Sequence, residues 1–481
     1  MTSIPLDKLE AWLPRIRWWP YPTAEGIKIH REWSEDDLVF IIIDYRGEKF
    51  YLPLSSGEPP EFLPSERIIH IDNTIFYEAE FSPKYLRVLD KSDHIEKRYY
   101  GTGEFTSTIK TVKPLTFETT NIVSLHEGLN KIVVKSYRRL SKENPEPLFL
   151  DLLTRKGYKY APSLYAMYIW EGNPVSLAME YIDGVGDGGK PFYDALLSML
   201  KGRSKGMKIG LASLLGTEIA DLHCVIAESN DPFFSPEKIV EEDVKKWERI
   251  LYGMYKTAVK NLEELTSIQQ FKYLEFWLEV FDKIAPRLAE IAVEGFSKQT
   301  GLNKLRIHND LHLAQFIYNK ERGFILTDFE GEPGRKPDER LLKLPVFRDI
   351  ASMARSFQYL AFFALKDYLG LSIDELGRRL VSGSNDPTLP WRNVHLRALT
   401  ASYVAGVARM SPVITGKNPV ELLRLFNHYT LPWIIERGFY EVYYETSYGR
   451  DLIPVPITGL HEIYVFLTRK PKSLSYMPGK E

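Results

Sequence analysis

The sequence is nearly free of cysteine: Cys224 is the only one in 481 residues. That excludes an intrachain disulfide and a cysteine-rich zinc site, and it fits a reducing compartment. There is no excess of charge of either sign, since 62 Lys and Arg stand against 64 Asp and Glu for a formal charge of −2. No global field draws the chain to nucleic acid or to an anionic membrane, so neither is expected as a partner. Long apolar runs are missing too, and the densest, Leu38 to Ile43, is far too short to cross a bilayer. The opening MTSIPLDKLEAWLPRIRWWP lacks the basic-then-apolar layout of a signal peptide. There is no internal repeat, no low-complexity tract and no GxxxxGK[ST] phosphate loop. The expectation is a globular, cytoplasmic protein.

What is present defines the class further. A composition 44% apolar and 26% charged is that of a folded chain. Its length exceeds what one core serves, so two or three subdomains are expected. The first hundred residues are β-rich. Leu38–Ile43 and Lys49–Leu54 flank the turn-type loop Asp44–Gly47 and read as a hairpin, as do Arg67–Ile71 and Ile75–Ala79 around Asp72-Asn73. Further strands are expected over Thr108–Val112, Asn121–Leu125, Lys131–Ser136, Ala166–Trp170 and Ser176–Ile182. Asn144-Pro145-Glu146 opens a helix, with Pro145 suited to its first turn. Beyond about residue 190 the spacing turns helical, as in Leu211, Leu214, Leu215, Ile219, Leu222 and Ile226. Only Leu305–Asp328 reverts to strand and loop. The pattern predicts an α+β protein with a cap subdomain over 1–95, a mainly β lobe over 96–182 and a helical lobe over 183–481.

Gly184-Val-Gly-Asp-Gly-Gly189 satisfies the dinucleotide pattern after a predicted strand. That fingerprint also needs a second parallel strand ending in an acidic residue, and here a helical run leads into Lys201-Gly-Arg-Ser-Lys205 instead. The segment reads as a flexible connection.

The informative stretch is Leu305-Arg-Ile-His-Asn-Asp-Leu-His-Leu-Ala-Gln315, followed by Phe324-Ile-Leu-Thr-Asp-Phe-Glu-Gly-Glu-Pro333. An enzyme that phosphorylates a hydroxyl needs a carboxylate beside the acceptor. It also needs oxygen ligands for magnesium and a cation on the nucleotide phosphates. Asp310 at a strand-to-loop transition suits the first need. Gln315, one of five glutamines, offers an amide oxygen, and Asp328 follows 18 residues after Asp310 beyond an expected hairpin. His308, Asp310 and His312 also form an H-x-D-x-H. No further ligand cluster stands near it, so His312 reads as a loop or substrate-side residue.

These segments resemble the catalytic region of maltokinases, within the protein-kinase-like superfamily that includes aminoglycoside phosphotransferases. Leu13-Pro-Arg-Ile-Arg-Trp18 resembles the family's LPxxRW, Val134-Lys-Ser-Tyr-Arg-Arg-Leu140 its VKxxRRL, and Asn144-Pro-Glu146 its NPE. Phe347–Phe357 resembles its RDVAGMLRSF helix, Tyr440–Glu445 its YEVRYE and Leu452–Pro456 its LPIP. The resemblance runs from about residue 13 to residue 457 and implies a bilobal kinase-like fold that transfers the γ-phosphoryl group of ATP to the anomeric hydroxyl of maltose.

Roles follow by resemblance. Asp310 is the catalytic base, Gln315 and Asp328 hold magnesium, and Lys135 contacts the nucleotide phosphates, with Glu146 or Asp151 as its acidic partner. Glu180, Tyr181 and Ile182 lie at the adenine hinge. His308 braces the catalytic loop. Glu330 adds an outer-sphere or substrate contact, and His312, Tyr440, Glu441, Tyr444 and Glu445 line the sugar site. Asp349 and Arg355 are expected to form a structural ion pair, with Met353 and Phe357 in the core. Where the family has the arginine of YEVRYE this chain has Tyr443, which opens another sugar or amino sugar as acceptor. A kinase-like scaffold that binds nucleotide or a partner without turnover is a separate alternative, and the presence of every catalytic-type residue argues against it.

Overall fold

The computed structural model describes residues 4–101, 105–117 and 120–468, and these form two compact units that divide between Asp183 and Gly184. The first holds two antiparallel sheets. One contains β1 (Lys28–Glu35), β2 (Leu38–Tyr45), β3 (Glu48–Ser56), β4 (Ile68–Ile71) and β5 (Thr74–Glu78) in the order β1-β2-β3-β5-β4. The other contains β6 (Glu96–Tyr99), β7 (Thr111–Thr116), β8 (Ile122–Glu127), β9 (Lys131–Ser136), β10 (Leu164–Trp170) and β11 (Asn173–Glu180) in the order β6-β10-β11-β9-β8-β7. The strand expected over Thr108–Val112 begins later, at Thr111, because Thr106–Thr108 form a turn of 3₁₀ helix.

The apolar run in β2 has a simple cause. Side chains alternate across a strand, and here both faces are covered. Val39, Ile41 and Ile43 join one cluster with Trp12, Leu13 and Trp19. Leu38, Phe40 and Ile42 join another with Tyr85, Leu89, Val134 and Ala178. β2, an interior strand of the first sheet, is thus a core element, and its hydrophobicity has nothing to do with lipid.

The second unit is mainly helical. The helix Ile209–Ala227 is the one, among the described residues, long and apolar enough to cross a membrane by length and composition. It buries Leu215, Ile219, Leu222 and Ile226. A Cβ at Gly216 would sit 2.2 Å from the Leu399 carbonyl oxygen, so glycine lets it approach the helix Leu389–Val407 closely. The segment 184–189, expected to be flexible, is pinned within this unit. Val185 N–H donates to Tyr318 O at 3.0 Å and Tyr318 N–H to Gly186 O at 2.9 Å, while Gly188 N–H reaches Phe316 O at 2.8 Å. Asp187 then accepts from the N–H groups of Gly189 and Lys190 at 3.0 and 2.9 Å, starting the helix Lys190–Leu200. The glycines here serve close packing, not mobility.

The only hairpin of this unit among the described residues pairs Phe316–Asn319 with Gly323–Leu326. Glu218, wholly buried on the helix Ile209–Ala227, accepts from the Phe324 N–H at 3.2 Å and so holds the hairpin from behind. Burial pushes its carboxyl up to about 8, with the Phe324 N–H opposing. The folded state therefore keeps a proton that the unfolded chain releases from about 4.5 upward, and stability is lost as pH rises through this interval. Glu218→Gln keeps an acceptor and removes the titration. The melting temperature of the parent should fall relative to that of Glu218→Gln as pH is raised toward 8; a constant difference between the two would refute the assignment.

Candidate active site

The loop that carries Asp310 is held by two consecutive residues at the start of the helix Phe347–Leu369. Asp349 is completely buried, and its two oxygens each accept at 3.0 Å from the backbone N–H groups of His308 and Asn309. Arg348 donates to the carbonyl oxygen of Asn309 at 3.0 Å and to its Oδ1 at 2.7 Å. Asn309 is thereby kept at φ +66°, a left-handed conformation costly for most L residues but tolerated by Asn. The expected pair between Asp349 and Arg355 does not form. Asp349 faces His223 Nε2 at 3.2 Å, and Arg355 turns to Glu441 at 2.9 Å. Burial opposes the Asp349 charge, yet His223 and the loop N–H groups hold its carboxyl below the usual range.

His308 links the loop to the hairpin. With its proton on Nε2 it donates to Thr327 O at 3.1 Å, and its Nδ1 accepts from Asp310 N–H at 3.3 Å. Both ring nitrogens are used in this way, which leaves no room for a metal in the H-x-D-x-H reading. Gln315 fastens the same two segments: its carbonyl oxygen accepts from Thr327 N–H at 2.8 Å, and its side-chain Nε2 reaches Asp310 Oδ2 at 3.4 Å. Asp328 follows at once, exposed and at φ +57°, and an oxygen of its carboxylate lies within 4.8 Å of one of Glu330. Strained backbone of this kind concentrates at functional sites.

Asp310 itself is only 5% exposed. Its Oδ1 accepts from Arg437 Nη1 at 2.9 Å, a partner the sequence did not suggest. Arg437 also pairs with Glu332 and, at 3.4 Å, with Glu441. Glu332 in turn meets Arg348 at 2.6 Å and Arg335 at 2.7 Å, and both of those arginines meet Glu436. Burial alone would raise the Glu332 carboxyl, but Arg348, Arg335 and Arg437 hold it far below the usual carboxylate range. A buried network results, with four arginines (335, 348, 355 and 437) facing four carboxylates (310, 332, 436 and 441). One signal of it was legible. Glu436, Arg437, Tyr440, Glu441 and Tyr444 form a polar stripe on a helix whose other residues, Trp433, Ile435, Phe439 and Val442, are core.

Asp310, His312, Arg437, Tyr440, Glu441 and Tyr444 all line a cleft of about 770 Å³, within the usual size range of small-molecule sites. Burial pushes the His312 imidazole down, with Asp310 opposing, so it stays neutral near pH 7. Glu441 lines the cleft with its carboxylate already held by Arg355 and Arg437. Tyr443, by contrast, reaches the Gly334 carbonyl at 3.4 Å. Asp328 and Glu330 are not among the residues lining this cleft.

In the first unit, Lys135 on β9 stands 2.5 Å from Glu146 Oε2, which also accepts from Tyr137 OH at 2.6 Å. Asn144 caps the helix Pro145–Arg155 that carries Glu146. Asp151 engages Tyr100 and Arg155 instead, so the partner of Lys135 is Glu146. Glu180 ends β11, where its N–H donates to Ser163 O at 2.9 Å. Tyr181 lies under Lys131 at 5.1 Å, and Ile182 is buried.

No family model matches the chain. Two glucosamine kinases are similar in sequence. That of Mycolicibacterium smegmatis is 24% identical over 311 residues, which are 61% of this chain and 73% of the relative. That of Streptacidiphilus jiangxiensis is 24% identical over 297 residues, 58% of this chain and 59% of the relative. In structure, a glucosamine kinase in complex with glucosamine, ADP and inorganic phosphate superposes with a TM-score of 0.67 at 14% identity, covering 96% of this chain and all of that one. A second crystal form of a glucosamine kinase gives 0.64 at 16% identity, covering 91% and 94%. The chain therefore has the α+β, kinase-like fold of these structures, with a β-sheet first part and a helical second part.

The network predicts its own weak point. Glu332→Ala would leave three arginines facing a buried gap, and removing one partner of a buried ion pair costs about 3–5 kcal/mol. Chemical denaturation should show a loss of this size, and a loss within about 0.5 kcal/mol, as for an ordinary surface substitution, would show that the charges are compensated otherwise.

Proposed function

We propose that the chain is an ATP-dependent sugar kinase with Asp310 as its catalytic base. The observation that carries this reading is the Asp310 carboxylate, buried yet facing a cleft of about 770 Å³, with one oxygen on Arg437 and the other on Gln315. The acceptor hydroxyl attacks the γ-phosphorus and a new O–P bond forms. The bond to the ADP oxygen breaks, and the hydroxyl proton passes to Asp310. Lys135, oriented by Glu146, contacts the nucleotide phosphates. The Glu180 N–H is used within the fold, so Tyr181 and Ile182 offer the backbone groups for the adenine edge. Hard divalent cations prefer oxygen donors, and Asp328, the Gln315 amide oxygen and Glu330 supply that donor set for magnesium. When bound, magnesium neutralises charge on the transferring phosphates. The related glucosamine kinases support the same chemistry.

The acceptor we infer is an amino sugar. Five carboxylates line the cleft, and four are already engaged: Asp187 caps a helix, Asp194 pairs with Lys190, Asp310 with Arg437, and Glu441 with Arg355 and Arg437. Glu445 has no cation partner among the described residues and is free to receive an ammonium group. Maltose, converted to maltose 1-phosphate, is the second reading, supported by the maltokinase-like segments and by a cleft roomy enough for a disaccharide.

Asp310→Asn should lower kcat by about 10²–10⁴-fold with nucleotide affinity retained, checked by steady-state kinetics with the phosphate position read by phosphorus NMR; normal turnover would dismiss Asp310 as base. A second measurement addresses the acceptor. Burial, with Glu441 and Asp451 adding, pushes Glu445 up to about 7, so its charge appears as pH rises through neutrality. The KM for glucosamine should therefore fall between roughly one pH unit below 7 and 7 itself, while the KM for maltose or glucose stays level. Glu445→Gln should abolish the difference, and an unaltered preference in that variant would remove the case for an amino sugar.

A further inference from the structure

Lys135 stands on a strand whose two faces serve different neighbours. Side chains alternate along extended backbone, and here the alternation runs from β9 on to residue 138. Lys135 and Tyr137 meet on Glu146. The Lys135 ammonium lies 2.5 Å from Glu146 Oε2, Tyr137 OH donates to the same oxygen at 2.6 Å, and Lys135 Nζ is 5.7 Å from the centre of the Tyr137 ring. Val134, Ser136 and Arg138 turn the other way. Val134 packs in the cluster of Phe40, Tyr85 and Leu89, and Ser136 Oγ is 2.9 Å from Tyr85 OH. Arg138, only 1% exposed, enters a buried ionic group of the first sheet.

That group is built from the end of β5 and the turn of 3₁₀ helix after it. Arg138 forks onto both oxygens of Glu80, donating from Nη1 to Oε1 and from Nη2 to Oε2 at 2.9 Å, and its Nη2 is 3.1 Å from Glu78 Oε1. Glu78 also accepts from Trp18 Nε1 at 2.7 Å and from Arg67 at 2.5 Å, and the Trp18 ring lies 5.2 Å from the Arg138 guanidinium. Both carboxylates are completely buried. Burial pushes the Glu80 carboxyl up, and Arg138 opposes it. Past Arg138 the chain changes sheets: Tyr51 N–H donates to Arg138 O and Leu140 N–H to Lys49 O, both at 2.8 Å, so the backbone leaves β9 and lies along β3. Arg138 thus ties the backbone that carries Lys135 to the first sheet by main chain and side chain together.

Two acids and two arginines buried in one place add little net stability over an apolar core. What a forked guanidinium does supply is direction as well as distance. Arg138 follows Lys135 by three residues, about 10 Å of extended chain. Both residues between them are pinned, Ser136 by Tyr85 and the Tyr137 N–H by Val175 O at 3.0 Å, so the two ends of this short span move together. We propose that Arg138 is a positioning residue for nucleotide: anchored on Glu80 and Glu78, it fixes where Lys135 presents its ammonium. This rests on the reading of Lys135 as the phosphate contact and extends it to the first sheet, which becomes the template on which that lysine is set.

Calorimetric binding of ATP with magnesium to the full chain, arranged as a double-mutant cycle, tests this. Arg138→Lys keeps the charge and gives up the fork on Glu80. It should weaken ATP binding about tenfold in the parent, but by less than about twofold in a Lys135→Met background, because an effect carried through Lys135 vanishes with it. A merely structural role would cost the same in both backgrounds, and equal losses, or none in the parent, overturn the proposal. Glu80→Gln preserves the shape of the group and should show the same coupling, which keeps the test decisive if Arg138→Lys does not fold. The neighbouring Arg139, exposed and paired with Glu48, is the control, and Arg139→Lys should leave binding unchanged. A second readout needs no nucleotide. The rate at which a small amine reagent modifies Lys135, followed by mass spectrometry, should rise severalfold with Arg138→Lys and stay level with Arg139→Lys. If that rate rises while ATP affinity is indifferent to Lys135→Met, the positioning stands and the nucleotide role of Lys135 falls; if the rate does not change, the positioning itself falls.

Discussion

The ion pair between Arg437 and Asp310 is the contact on which the rest of the site depends. A carboxylate this buried is stable as an anion only when paired, and one arginine supplies the pairing. That arginine is itself buried, so it needs more negative charge than Asp310 provides, and Glu332 and Glu441 provide it. Glu332 then requires Arg348 and Arg335, which require Glu436. The chain of compensation ends only when four positive and four negative groups have met. Such a network adds little net stability over an apolar core. It does hold the Asp310 carboxylate in one position, and the phosphoryl transfer proposed above rewards positioning.

One helix translates this balance into geometry. Phe347–Leu369 presents Arg348 and Asp349 to the backbone of the loop, Arg355 to Glu441, and Ser356 Oγ to the Leu313 N–H at 2.9 Å. The loop bearing Asp310 and the wall bearing Glu441 are thus referenced to the same helix. A shift of that helix would move both together, so the spacing of these cleft residues is preserved through small motions of the scaffold.

The sequence displayed the local half of this arrangement. The change from alternating to helical spacing conveyed an α+β chain, and the run Leu38–Ile43 announced one arm of a hairpin, its hydrophobicity caused by burial on both faces of one short segment. The H-N-D-L-H-L-A-Q spacing brings Asp310, Gln315 and His308 into one loop because all three lie within eight residues. Contacts between distant segments were hidden. Nothing in the order of residues says that Arg437 reaches Asp310, or that Asp349 turns to His223 and the loop when Arg355 lies within two turns of it on the same helix. The glycines of 184–189 misled for a related reason. Small residues read as flexible in isolation, whereas here they let the backbone pack against the hairpin, with a Cβ at Gly188 only 2.8 Å from Leu313 O.

The same accounting bears on selectivity. In a site where almost every charge is cancelled, the residual field is set by whichever group is not. Glu445 is that group: half-buried, beside Glu441, and stabilised chiefly by the Leu452 backbone N–H. Leaving a carboxylate in such a place opposes folding, since burial favours its neutral form. A compensating lysine or arginine would relieve that cost but would fill the cleft and cancel the field. Groups that work against stability while facing a cavity mark places where the chain's chemistry serves a ligand instead of the fold. Glu445 is of this kind, and it lines the cleft. In the reading proposed above, this is the group that selects an acceptor by its charge.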